Sequence, residues 1–268
     1  MPAKKPLIKT PMMNRYLVKF LIRLAIFISV FVVYITHKEI LIDFMTHEFT
    51  FGIMEYGITP MHVLWAFFMV MMISHLFPTK KLSMALKKSK EENYKEIPGY
   101  SEFELLKFVQ NQNIKAWMVM LVWLCFNAIW GVLYLFGIIG DADLLMLTVF
   151  YFLCDYICIL LFCPFQTFIM KNKCCVNCRI YDWGHFMMFT PMLFIKNFFS
   201  WSLLFTSLVV LIHWEIIYAK HPQWFWSGSN QTLQCKNCKD KTCQIKKKIA
   251  NACKFLRFLG ECFTIKWM

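Results

Sequence analysis

Apolar residues run in long unbroken stretches along this chain, separated by short polar ones. About 20 apolar residues in a helix cross the hydrocarbon layer of a bilayer, so stretches of this length predict membrane spans. Four are plain: residues 17–35, 59–77, 116–138 and 144–170. A fifth, residues 186–218, is interrupted by Pro191 and by Lys196-Asn197. As one helix it would be about 50 Å long, too long for one crossing and too short for two. A broken or re-entrant helical segment is expected there, because irregular backbone at membrane depth is tolerated only when buried in protein or lining a cavity. The expected fold is all-α: a multi-pass helical integral membrane protein over 1–218, then a cysteine- and lysine-rich tail over 219–268.

The polar stretches carry their own signals. Residues 38–58 are acidic yet keep Ile40, Leu41, Phe44, Met45 and Phe49, which suits a helix lying in the interface. Residues 79–115 form a basic loop, and Ser101-Glu-Phe-Glu104 reads as a capping box that opens an amphipathic helix. Gly140-Asp-Ala-Asp143 is a tight acidic turn. In the tail, Ile245, Ile249, Cys253, Leu256, Leu259 and Phe263 recur at spacings of three and four, opposite lysines. That pattern predicts a basic amphipathic helix for an anionic membrane face.

Composition agrees: 59% of residues are hydrophobic and mean hydropathy is +0.49. The stretch from Leu24 runs into Ile35-Thr-His-Lys38 without a small-residue cleavage site, so it reads as a retained span. Lys and Arg number 29 against 16 Asp and Glu, a net charge of +13. In a soluble chain such a balance would point to nucleic acid. Here the basic residues sit in loops and tails, so the expected partners are the lipid bilayer and its anionic lipids, not nucleic acid. Residues 1–23, 79–115 and 171–179 are basic, whereas 39–55 and 140–143 are acidic. The N-terminus is therefore expected in the cytoplasm, in the cell membrane, with Lys19 and Arg23 snorkelling to the near surface. The basic tail favours the same side.

Chemistry enters with the cysteines. Two runs flank the fifth apolar segment: Lys171-Asn-Lys-Cys174-Cys175-Val-Asn-Cys178-Arg179 and Cys235-Lys-Asn-Cys238-Lys-Asp-Lys-Thr-Cys243. A C-x-x-C pair brings two sulfurs within reach of one metal, and two pairs supply four thiolates. Cys175, Cys178, Cys235 and Cys238 are the expected ligands, with Cys174 and Cys243 in reserve. The cofactor is an iron–sulfur cluster or zinc; the spare cysteines favour the cluster, although no full ferredoxin run is present. Cys125, Cys154, Cys158 and Cys163 lie in apolar stretches and read as small hydrophobes.

Asp155 falls inside the fourth span, where a carboxylate is costly and marks either function or pairing with Asn127, Tyr156 or another tyrosine. His62, His75, His185 and His213 read as separate interfacial side chains. Asn230-Gln-Thr232 fits a glycosylation acceptor, a short pattern that chance often produces. The leading expectation is a membrane redox protein with a cysteine-held metal centre at the cytoplasmic face, passing electrons to a partner protein or quinone. The alternatives are a transporter or handler of thiophilic metal ions and a non-catalytic scaffold with structural zinc. No residue pattern assigns catalytic groups.

Overall fold

The computed structural model describes residues 10–46, 59–77, 84–172 and 174–248. The expected amphipathic helix beyond residue 248, Phe49 of the interfacial stretch and Pro78 lie outside them. The described residues are helical, with no strand. The elements are α1 (Pro11–Thr36), α2 (Lys38–Thr46), α3 (Pro60–Leu76), α4 (Met84–Lys87), α5 (Glu102–Leu135), α6 (Asp141–Leu160), α7 (Gly184–Phe189) and α8 (Phe198–Lys220). Four of them, α1, α5, α6 and α8, are long and apolar enough to cross a membrane. α3 is shorter, at 17 residues.

Local sequence sets the helix starts. The first amides of a helix lack intrahelical acceptors, and short polar side chains satisfy them. Thr10 accepts from Met13 N ahead of Pro11. Ser101 accepts from Glu104 N, as its cap pattern predicts, and Asn197 accepts from Ser200 N. Asp143 takes Gly140 N at 2.7 Å. The amphipathic helix opened by Ser101 and the apolar stretch after it prove to be one helix, α5, of 34 residues. The span expected over 144–170 stops at Leu160 instead. Pro164 explains this: it has no N–H to give and its ring would strike the carbonyl four residues back. Residues Phe165–Ile169 then wind as a π turn.

α1 and α6 pack antiparallel. Near one end Tyr34 hydrogen-bonds Asp143 and Lys38 pairs with it at 2.8 Å; near the other Tyr16 meets Tyr156 with ring centroids 5.9 Å apart. The interrupted fifth stretch is a broken hairpin. Its first arm is a run of short turns, with α7 between one turn at Tyr181–Trp183 and another at Thr190–Leu193 that begins around Pro191. This arm tracks α3 from His75, which touches His185, toward His62, whose ring meets Phe199. The second arm, α8, runs back alongside α3. The irregular arm is buried, with Phe189 at 1% and Met188 at 3% exposure. Its Phe194 ring sits where a β-carbon on Gly131 would lie 2.2 Å away, so glycine lets this arm seat against α5.

The hairpin returns the chain to the end of the bundle that holds the 84–100 segment. Ile97 N donates to Ser229 O at 2.9 Å and Gln231 N to Lys95 O at 2.8 Å. Thr10 Oγ1 donates to Asp240 O at the same end. Asn230 is fully buried there, with its amide nitrogen given to Trp224 O, so the glycosylation pattern is a structural turn.

Candidate functional site

Arg23 turns into the bundle rather than snorkelling outward. It is 9% exposed and donates to Phe152 O at 2.6 Å and to Asp155 Oδ2 at 2.8 Å. Its guanidinium lies over the Phe152 and Tyr156 rings, at 3.9 and 4.1 Å from their centroids. A buried arginine is tolerable only with its charge matched and its donors used, and Asp155, Phe152 and the two rings do both. Asp155 thus has a cationic partner, not the asparagine or tyrosine expected from sequence. Asn127 bonds Tyr151 OH instead.

Two further pairs sit on the same end of the bundle. Lys88, 3% exposed, approaches Asp182 at 3.6 Å and donates to the Val176 and Cys178 carbonyls. Burial raises the Asp182 carboxyl above its ordinary range, and Lys88 opposes that shift. Asp182 Oδ1 is buried with no hydrogen-bond partner among the described residues. Arg179 makes a two-pronged pair with Glu215, which also accepts from Trp183 Nε1 at 2.7 Å. Asp182, Trp183 and Glu215 therefore belong to these two ion-pair networks.

His75 and His185, read from sequence as unrelated, meet at 3.3 Å with rings 78° apart. They line a cavity of about 370 Å³ between α1, α3, α6 and α8. Arg15, Lys19 and Arg23 form one wall, a spacing of four that puts all three on one face of α1. Asp155, Asp182 and Tyr181 also line it. No described ion pair engages Lys19.

A second, apolar cavity of about 340 Å³ lies near the first. Each shared element places the two within about one helical turn: Arg23 and Ile26 on α1, Met71 and Phe68 on α3, Asp155 and Phe152 on α6. The two cavities share no lining residue, and the Arg23–Phe152 contact stands between the polar one and the apolar one. This placement was invisible to the linear pattern, although the Arg15, Lys19, Arg23 stripe was a signal for one wall.

The cysteine runs dock on one another at the basic end. Val176 and Leu233 share an apolar cluster with Cys174 and Cys238 against it, and Asn177 donates to Leu233 O. The thiols do not point to one centre. Cys178 packs into the apolar core with Val119 and Met170. Cys175 contacts Lys246 Nζ at 2.9 Å, Cys235 is exposed, and Cys243 is half-buried. All described cysteines are free thiols, and no three His, Cys, Asp or Glu among the described residues gather as a metal-ligand set. The expected ligands thus share one end of the molecule without converging. Comparison with protein-family models, with curated proteins and with solved structures returns no match.

Proposed function

We propose that the chain is a multi-pass integral membrane protein that holds an anionic amphiphile, with its headgroup in the cationic cavity and its hydrocarbon tail in the apolar one. The N-terminus, the 84–115 segment and the tail face the cytoplasm in this reading. The observation that carries it is the placement of the two cavities on either side of the Arg23–Phe152 contact, so that one amphiphile could reach both by displacing that contact. A charged cavity alone would suit a soluble anion; one with an apolar slot a helical turn away suits a lipid. Support for membrane residence comes from the outward faces of the long helices. Leu21, Ile28 and Val32 on α1, Leu121 and Ile129 on α5, and Phe205 on α8 are all exposed. Apolar surface of that extent is foreign to a soluble monomer.

Lys19 supplies charge at the cavity wall, and the unpartnered Asp182 Oδ1 can accept from a headgroup hydroxyl. The test is lipid analysis of the protein purified in mild detergent. Stoichiometric anionic lipid, depleted several-fold in an Arg15→Gln, Lys19→Gln variant and not displaced by inorganic phosphate, is the expected result. Retention of zwitterionic lipid only, or none, would refute the reading.

The docking of the two cysteine runs favours a second reading, a thiolate-held zinc or iron–sulfur centre with a redox or structural role. In it Cys175 and Cys178 would leave their present contacts to join Cys235 and Cys238. Metal and acid-labile sulfide analysis tests it, and metal-free protein of full stability would discard it.

A further inference from the structure

Lys246 is a tail lysine buried inside the bundle, at 5% exposure. Its ammonium has three donors, and the structure gives three acceptors: Cys158 O at 2.6 Å, Gln166 Oε1 at 2.8 Å and Cys175 Sγ at 2.9 Å. Gln166 Oε1 also accepts from the Cys175 thiol at 3.4 Å, so the amide holds sulfur and nitrogen against each other. Cys175 is itself buried at 7% exposure. Buried lysine is rare unless paired, and of the three groups it touches only Cys175 can carry a negative charge. The arrangement is a preformed sulfur–nitrogen contact that joins the tail to the turn after α6.

We propose that Cys175 and Lys246 are an oxidation site, at which dioxygen converts the contact into a covalent S–O–N bridge. Counted as thiolate and ammonium, the pair holds three hydrogens, of which the bridge nitrogen keeps one and two are lost. Dioxygen takes four electrons, two from sulfur and two from nitrogen. One of its atoms becomes the bridge between Sγ and Nζ, and the other leaves as water with the two hydrogens. A single oxygen fits between the atoms at their present separation, whereas a direct S–N bond would draw the lysine off its other two acceptors. Dioxygen is small and apolar enough to enter a site closed to larger oxidants. The result is a bond between residues 71 positions apart that fixes the tail against the bundle.

Peptide mass spectrometry of the purified full chain, prepared under air and under anaerobic reducing conditions, decides the matter. The expected result under air is the Cys175 peptide joined to the Lys246 peptide with one oxygen gained and two hydrogens lost. Dithiothreitol should reverse it, and Lys246→Arg, which keeps the cation, should lack it while still unfolding cooperatively, as compared with the reduced wild-type chain. Recovery of free Cys175 after aerobic incubation would overturn the proposal. So would a disulfide at Cys175, or a linked pair without the added oxygen.

Discussion

A β-carbon on Gly184 would lie 3.0 Å from Asp155 Oδ1. The carboxylate that neutralises Arg23 therefore rests against bare backbone at the start of α7. Asp155 cannot retreat without leaving Arg23, so Gly184→Ala is expected to cost on the order of 1 kcal/mol through overpacking. It should also weaken lipid retention in the cleft. Thermal unfolding in detergent reads the first effect, and an unchanged midpoint would show that the carboxylate moves freely.

The Arg23–Asp155 pair makes a sharper demand. Asp155→Asn leaves a buried guanidinium without its counter-charge; with Asp155 30% exposed, the cost falls below the about 3–5 kcal/mol of a fully buried pair. Replacing both partners with Arg23→Met and Asp155→Leu should recover most of that loss, because no buried charge then remains. If the double variant is no more stable than Asp155→Asn, the pair is not what holds α1 to α6.

Phe194 fills the space over Gly131. Gly131→Ala is expected to lose about 1–3 kcal/mol by displacing that ring. The same change in a Phe194→Ala background should cost much less. Equal costs in both backgrounds would mean that the irregular arm is not seated on α5 at this point.

Thiol chemistry separates the cysteines. Burial pushes the Cys178 thiol up to about 12, while Cys235 is exposed. Maleimide at neutral pH should label Cys235 rapidly and Cys178 only after unfolding. The folded chain keeps the Cys178 proton where the unfolded chain releases it. Its stabilising contribution is thus present below pH 9.0 and lost as pH rises toward about 12. A Cys178→Ala variant should show a flatter decline in stability over that window.

The backbone pairing of 95–97 with 229–231 requires both segments on one side of any bilayer. Reporters fused after residue 90 and after residue 248 should give the same signal, and opposite signals would contradict the broken hairpin.

Much of the architecture could be read from hydropathy, because helix length and apolarity are local properties. The Ser101 cap and the break around Pro191 appear where side-chain chemistry demands them. The site was less legible. Arg23 looks like a snorkelling residue when only its own helix is considered, and its inward course depends on Asp155 and two aromatic rings on α6. His75 and His185 are 110 positions apart, and only the course of the irregular arm brings them together. The C-x-x-C spacing says that sulfurs lie near each other in sequence. It does not say where each points, and Cys178 points into apolar packing while Cys175 meets a lysine from the tail.

The distance along the chain between Arg23 and its counter-charge bears on biogenesis. Asp155 follows 132 residues later, and at 5–20 residues per second synthesis takes roughly 10 seconds to reach it. During that interval α1 carries an unmatched guanidinium near its midpoint, a poor guest for lipid. The first helix made is therefore expected to stay beside the insertion machinery until α6 emerges, so that early and late segments are released together. A nascent chain stopped after α5 should crosslink to that machinery through α1, and Arg23→Leu should abolish the delay.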